Sequence, residues 1–147
     1  MRSASESTFA SERCVLEDRQ GAGPIARVAA ALEYAQAVGW EAVLTVPFDT
    51  PFLPSDLLER LAEAVGPGAL AAVAKSATGR LHPSCSLRSS GALAHLPSYL
   101  FERRSLRGFA DVLEAAVVEW PTAPVDPFFN VDTADDPVTA DQLLKNR

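Results

Sequence analysis

The chain has 147 residues, a length that fits one domain, and a chain of this size hides roughly two-thirds of its unfolded surface, enough for a genuine core. Its net charge of -6, its sequence pI near 4.8 and the lack of any Lys/Arg stripe argue against a nucleic-acid partner and for a small-molecule one. Apolar residues make up 48% and charged residues 22%, and no apolar run approaches the roughly 18 to 20 residues that span a bilayer, so no membrane role is expected.

Residues 1–13 (MRSASESTFASER) are Ser-rich and aperiodic and read as a disordered or weakly ordered arm, leaving 14–147 as the domain. Two cysteines, Cys14 and Cys85, are too few for a disulfide framework, and no apolar secretory signal precedes them; the expected compartment is the reducing cytoplasm. A helix is predicted from Pro24, with Ile25, Val28, Ala29 and Leu32 on one face and Gly39 as its stop. The apolar, β-branched run 42–46 reads as a strand buried on both faces. Pro54, Ser55 and Asp56 open a second helix carrying Leu57, Leu58, Leu61 and Val65, closed by Gly66 and Pro67.

Residues 69–75 give another apolar strand, and HPSCSL alternates as a strand after the TGR turn. Residues 93–101 and 106–115 carry helical spacing around the basic turn ERRSLR, with Ser105 placed to cap the second of them. AVVEW is a short strand, PFFNVDT an extended segment, and Pro137 opens a last helix. Alternating strands and helices predict a three-layer α/β domain with a mostly parallel sheet, in which ligands sit at the carboxyl ends of the strands.

Two segments fall at such ends. Asp49 follows the strand 42–46 inside VPFDTPFLP, hemmed by Pro47 and Pro51; from its residues it reads either as a turn-capping Asp beside proline or as a fixed carboxylate for a divalent cation. Asn130, Asp132, Asp135 and Asp136 crowd together after AVVEW; Asp135 and Asp136 read as caps of the last helix, whereas Asn130 and Asp132 are free to act as oxygen ligands. His82, before Pro83 at a strand start, reads as structural or supporting, and Cys85 as a small buried hydrophobe.

GPIARVAAAL, VPFDTPFLPSDLLERL, RLHPSCSL, the ERR turn and FFNVDTADDP occur in the order found in molybdenum cofactor guanylyltransferases, and the chain resembles that family from about Val15 to Leu144. The resemblance implies a three-layer, Rossmann-like nucleotidyltransferase fold and transfer of GMP from GTP to Mo-molybdopterin, with Mg2+ and release of pyrophosphate. It implies Asp49 as the magnesium and phosphate ligand of the DTP motif, assisted by Asp132, which stands where the family has a second Asn. Gly23 and Pro24 match a loop whose backbone holds the nucleotide, with Arg27 in place of its usual Gly. His82 and Asn130 match further motif positions, and Arg103 and Arg104 resemble a basic pair near the pterin phosphate, where a solvated helix end explains them equally well.

The family's glycine-rich LAGG-type loop, ending in Arg and Lys around the triphosphate, has no counterpart in this sequence. The expected domain is therefore incomplete at its N-terminus, with an unpaired edge at strand 42–46 that predicts poor stability or self-association. Beside guanylyl transfer stand two alternatives: a non-catalytic remnant that binds molybdopterin or proteins of the molybdoenzyme pathway, and a cytidylyltransferase acting on the same pterin.

Overall fold

The computed structural model describes residues 23–47 and 49–129. The N-terminal arm, Cys14, Asn130, Asp132, Asp135, Asp136 and the helix expected from Pro137 lie outside the described residues.

Helix α1 (Gly23–Val38) buries Ile25, Val28, Leu32 and Ala35, a stripe at helical spacing, and stops at Gly39, whose φ of 81° suits glycine. A short turn leads into β1 (Ala42–Thr45), so α1 runs opposite to β1 and its first turn points toward the end of the sheet where β1 finishes. Helix α2 (Leu57–Val65) buries Leu57 and Leu61 and ends at Gly66. Asp56 opens it without a side-chain capping bond; its Oδ1 instead accepts from Trp120 Nε1 at 3.0 Å.

Strands β2 (Ala71–Ser76) and β3 (Leu81–Ser89) are joined by a four-residue turn over 77–80, too short for a crossover, so they form an antiparallel hairpin. The predicted helix over 93–101 is split into a 3-10 helix (Ser90–His95) and α3 (Leu96–Glu102). Ser89 Oγ accepts from the Gly91 N–H and starts a tight turn, and Pro97, lacking an N–H, cannot bond back into it. Helix α4 (Leu106–Val112) is capped as expected, with Ser105 Oγ accepting from the Gly108 N–H at 3.0 Å, and ends before Glu114, whose φ is 52°. Strand β4 (Ala116–Trp120) follows.

The sheet order is β1-β3-β2-β4. Strands β1, β2 and β4 share a direction, as a mostly parallel sheet requires, but β3 lies antiparallel between β1 and β2, so the sheet is mixed and β2 with β4 is the parallel pair. Strand β1 is half-buried rather than buried on both faces, because it lies at the edge of the sheet; its outer side has no partner strand among the described residues. Among the described residues no helix is long and apolar enough to cross a membrane.

Helices cover both faces, making three layers. On one side Ile25, Val28 and Leu32 of α1 pack with Ala71, Leu96, Tyr99, Phe109 and Leu113. On the other, Leu57 and Leu61 of α2 pack with Ala72, Ala74, Cys85, Leu87, Trp120 and Phe128. Ala71 of β2 thus joins one core and Ala72 and Ala74 the other, as the period of a strand demands.

Candidate functional site

The ends of β1, β2 and β4 and the start of β3 meet along one edge of the sheet, since Thr45 pairs with Ser86, Lys75 with Leu81 and Ser76 with Trp120. This is the edge at which open α/β sheets bind ligands. Asp49 stands on the turn that leaves β1, half-buried. The turn is closed by Thr50, whose hydroxyl donates to the Pro47 carbonyl at 3.0 Å and which is itself buried. The Asp49 carboxylate has no hydrogen-bonding or ion-pair partner among the described residues, so it is not the group that caps the turn there.

His82 comes to the same edge. Its Nε2 lies 2.5 Å from Ser76 Oγ, and its ring stacks on Phe128 at a centroid distance of 4.5 Å. Burial lowers the His82 pKa, against the opposing charge of Asp126 and with a smaller push from Arg80. The imidazole is thus kept neutral and used to hold its neighbours. Phe128 also meets Trp120 edge-on at 5.8 Å, and Phe52, just after Asp49, lies 6.3 Å from Phe129. The Asp49 loop, His82 and the residues leading up to Asn130 are therefore brought together. Asn130 and Asp132 lie outside the described residues.

The loop after Asp49 and the segment after β4 enclose a cleft of about 470 Å³ lined by Phe52, Leu53, Pro54, Asp56, Trp120, Pro121, Val125 and Pro127. Arg60 of α2 lies over the Trp120 ring at 4.3 Å, and its guanidinium donates to the Glu119 carbonyl, which fixes that wall.

Gly23 and Pro24 form the first turn of α1, with Gly23 at a φ of 73°. Arg103 and Arg104 lie on the exposed turn between α3 and α4. Arg104 reaches the first turns of α1, lining a shallow depression of about 210 Å³ with Ile25, Ala26, Ala29, Ala30, Glu33 and Leu100. Arg104 is thus beside the α1 start, while Arg103 is not among those lining residues. Phe101, in the last turn of α3, is 88% exposed.

Two buried groups near Asp49 differ sharply in chemistry. Cys85 is buried, and its thiol pKa is pushed up to about 12, chiefly by burial, with the Asp49 charge adding to the rise; it is no nucleophile at neutral pH. Arg88, absent from the sequence-based candidates, is the largest fully buried side chain and retains 1% exposure. Its Nη1 donates to Thr45 Oγ1 and its Nη2 to the Pro83 carbonyl, each at 3.0 Å, and burial lowers its pKa to about 10, which leaves it cationic at neutral pH.

As a metal site, the described residues hold no group of three His, Cys, Asp or Glu side chains. Mg2+ keeps several waters and is commonly held by one or two carboxylates plus substrate phosphates, and a single carboxylate such as Asp49, without a partner among the described residues, is compatible with that.

A family model described as a MobA-like NTP transferase domain matches residues 4–119, well over half of the chain. A molybdenum cofactor guanylyltransferase of Cereibacter sphaeroides is 37% identical over 132 residues, covering 89% of this chain and 66% of its own. One from Rhodopseudomonas palustris is 40% identical over 126 residues, covering 82% and 60%. The chain spans about two thirds or less of the length of these relatives. In structure it is similar to molybdopterin-guanine dinucleotide biosynthesis protein A of Archaeoglobus fulgidus, with a TM-score of 0.61 and 24% identity, covering 85% of this chain and 64% of that one. A putative protein of Aquifex aeolicus gives the same TM-score at 19% identity, covering 75% and 56%. Its strand and helix layers, its DTPFLP turn and its likeness to these relatives make the chain a member of the MobA-like NTP transferase family.

Proposed function

We propose that the domain takes part in molybdenum cofactor biosynthesis as a nucleotidyltransferase, joining GMP from GTP to the terminal phosphate of Mo-molybdopterin and releasing pyrophosphate. The observation that carries this reading is the Asp49 carboxylate, set at the carboxyl end of β1 and left without a partner among the described residues. A carboxylate serving only the turn would be hydrogen-bonded within it; here Thr50 does that work.

Asp49 would hold Mg2+, which offsets charge on the phosphate oxygens and aligns the α-phosphate for in-line attack. The acceptor phosphate is already ionised near neutral pH, so no side chain has to remove a proton from it. Asp132 is proposed as a second oxygen ligand, and Gly23 and Pro24 as backbone contacts to the nucleotide. Arg104, beside the α1 start, supplies a guanidinium for a phosphate, with Arg103 next to it on the same turn.

The test is transfer of labelled GMP to Mo-molybdopterin by the wild-type chain and by Asp49→Asn at ordinary magnesium. A loss of roughly a hundredfold or more is expected on removing a charge-bearing metal ligand. Equal transfer by the two would refute the assignment, and pterin binding without any transfer would favour a binding module of the same pathway instead.

A further inference from the structure

From the hydrogen bonds of Arg88 we infer that this buried guanidinium is a positioning residue, which locks the Asp49 turn onto an irregularity in β3; the inference rests on Asp49 being the metal ligand proposed above. The pairing of β2 with β3 jumps from Val73 with Ser86 to Ala74 with His82. Pro83, Ser84 and Cys85 are thereby bulged out of the β2 ladder while β3 still pairs with β1 up to Thr45 and Ser86. Pro83 has no N–H to give to a ladder, and the bulge leaves its carbonyl without a strand partner.

Arg88 and Ser86 supply what is missing. The Pro83 carbonyl accepts from Arg88 Nη2 at 3.0 Å and from Ser86 Oγ at 2.7 Å. The other arm of the guanidinium donates to Thr45 Oγ1, and the Thr45 hydroxyl in turn donates toward the Ser84 carbonyl at 3.1 Å. Thr45 is the last residue of β1 and the point from which the Asp49 turn departs; Pro83 directly follows His82. One rigid fork therefore spans both strand ends that carry site residues.

A purely packing role would not select this side chain. Burying a guanidinium is costly, and no carboxylate pairs with Arg88 among the described residues. An apolar residue would fill the same space without that cost but could not hold Thr45 and Pro83 at once. The planar fork, with its donors in fixed geometry, does so.

The experiment is amide hydrogen exchange on the full chain as wild type, Thr45→Val, Arg88→Met, Arg88→Lys and the double variant, together with titration by Mn2+–GTP. Exchange at Val46, Asp49, Thr50, Ser84 and Cys85 is expected to rise roughly tenfold in Arg88→Met and Thr45→Val, while the amides of α2 and β4 change by less than about twofold. The double variant should fall short of the sum of the two single variants, since both lose the shared Arg88–Thr45 bond, and Arg88→Lys should restore part of the protection. Mn2+–GTP affinity should fall roughly tenfold in step with the exchange. Thr45→Val, which keeps the side-chain shape, decides the matter if Arg88→Met does not fold. Unchanged exchange at the two strand ends, a uniform rise throughout the chain, or additive effects in the double variant would overturn the inference. A wild-type chain with no Mn2+–GTP affinity would sink the metal reading of Asp49, and the exchange pattern would still decide whether Arg88 holds the turn.

Discussion

The two faces of the sheet are built from the same strands yet closed in different ways. Beneath α2 an apolar cluster of Ala72, Ala74, Cys85, Leu87, Trp120 and Phe128 is joined at the Asp49 end by the hydrogen-bonded pair of Ser76 and His82. Beneath α1, α3 and α4 it is apolar only toward the start of β1; toward the Asp49 end it carries Thr45, Ser86 and the Arg88 guanidinium. Apolar packing is non-directional and tolerates small shifts, whereas a hydrogen-bonded fork fixes angles as well as distances. On both faces the buried polar groups lie toward the Asp49 end of the sheet.

If that contrast is right, apolar truncations should cost stability wherever they fall, and polar changes near Asp49 should cost order rather than stability. Phe109→Ala, at a fully buried site, should destabilise by about 3–5 kcal/mol, and Leu61→Ala on the opposite face by about 2–5 kcal/mol, measured by urea unfolding. Gly108→Ala comes next: its Cβ would sit 2.5 Å from the Tyr99 hydroxyl and 2.9 Å from Ser105 Oγ, so α4 must shift, at about 1–3 kcal/mol.

Acid and alkali probe three titratable groups near the site, the half-buried His82 and the buried Cys85 and Arg88. The His82 pKa is lowered in the fold, so the stability it contributes is present above about 6.5 and is lost as pH falls through the lowered value. Urea midpoints should drop between pH 7.5 and 5, with a smaller drop in His82→Phe. Cys85 is raised from 9.0 to about 12, so its contribution is present below 9 and is lost above it. Arg88, lowered to about 10, moves stability the opposite way only above that pH, so between about 9 and 10 Cys85 sets the sign of the pair and stability falls. Cys85→Ala should flatten that window. The smallest effect is expected from Asp49→Asn, within about 0.5 kcal/mol, because the carboxylate supports nothing among the described residues.

Much of this fold is legible from spacing alone. The stripe Ile25, Val28, Leu32, the glycine stop at Gly39, the Ser105 cap and the strand AVVEW all follow from local rules that the tertiary structure does not overrule. The unpaired edge at β1 was expected from the lack of a counterpart to the glycine-rich loop and not from the run 42–46, which reads as buried on both faces; the antiparallel sense of β3 was not legible, because strand direction depends on the length of the 77–80 turn. Asp49 could be located by its place after a strand, but only the structure shows that Thr50, not Asp49, closes the turn. Arg88 was invisible for a different reason. In HPSCSLRS the alternation sets Ser86 and Arg88 on one side, which reads as a solvent face, and nothing local reveals that helices cover it.

The central claim is that Asp49 is kept free in order to hold a metal against a nucleotide. Its most direct test is guanylyl transfer to Mo-molybdopterin measured against magnesium concentration for wild type and Asp49→Asn. The account predicts that the variant keeps its fold, loses roughly a hundredfold or more of the activity at ordinary magnesium and recovers part of it as magnesium is raised. Equal activity with the same magnesium dependence in both proteins would contradict it.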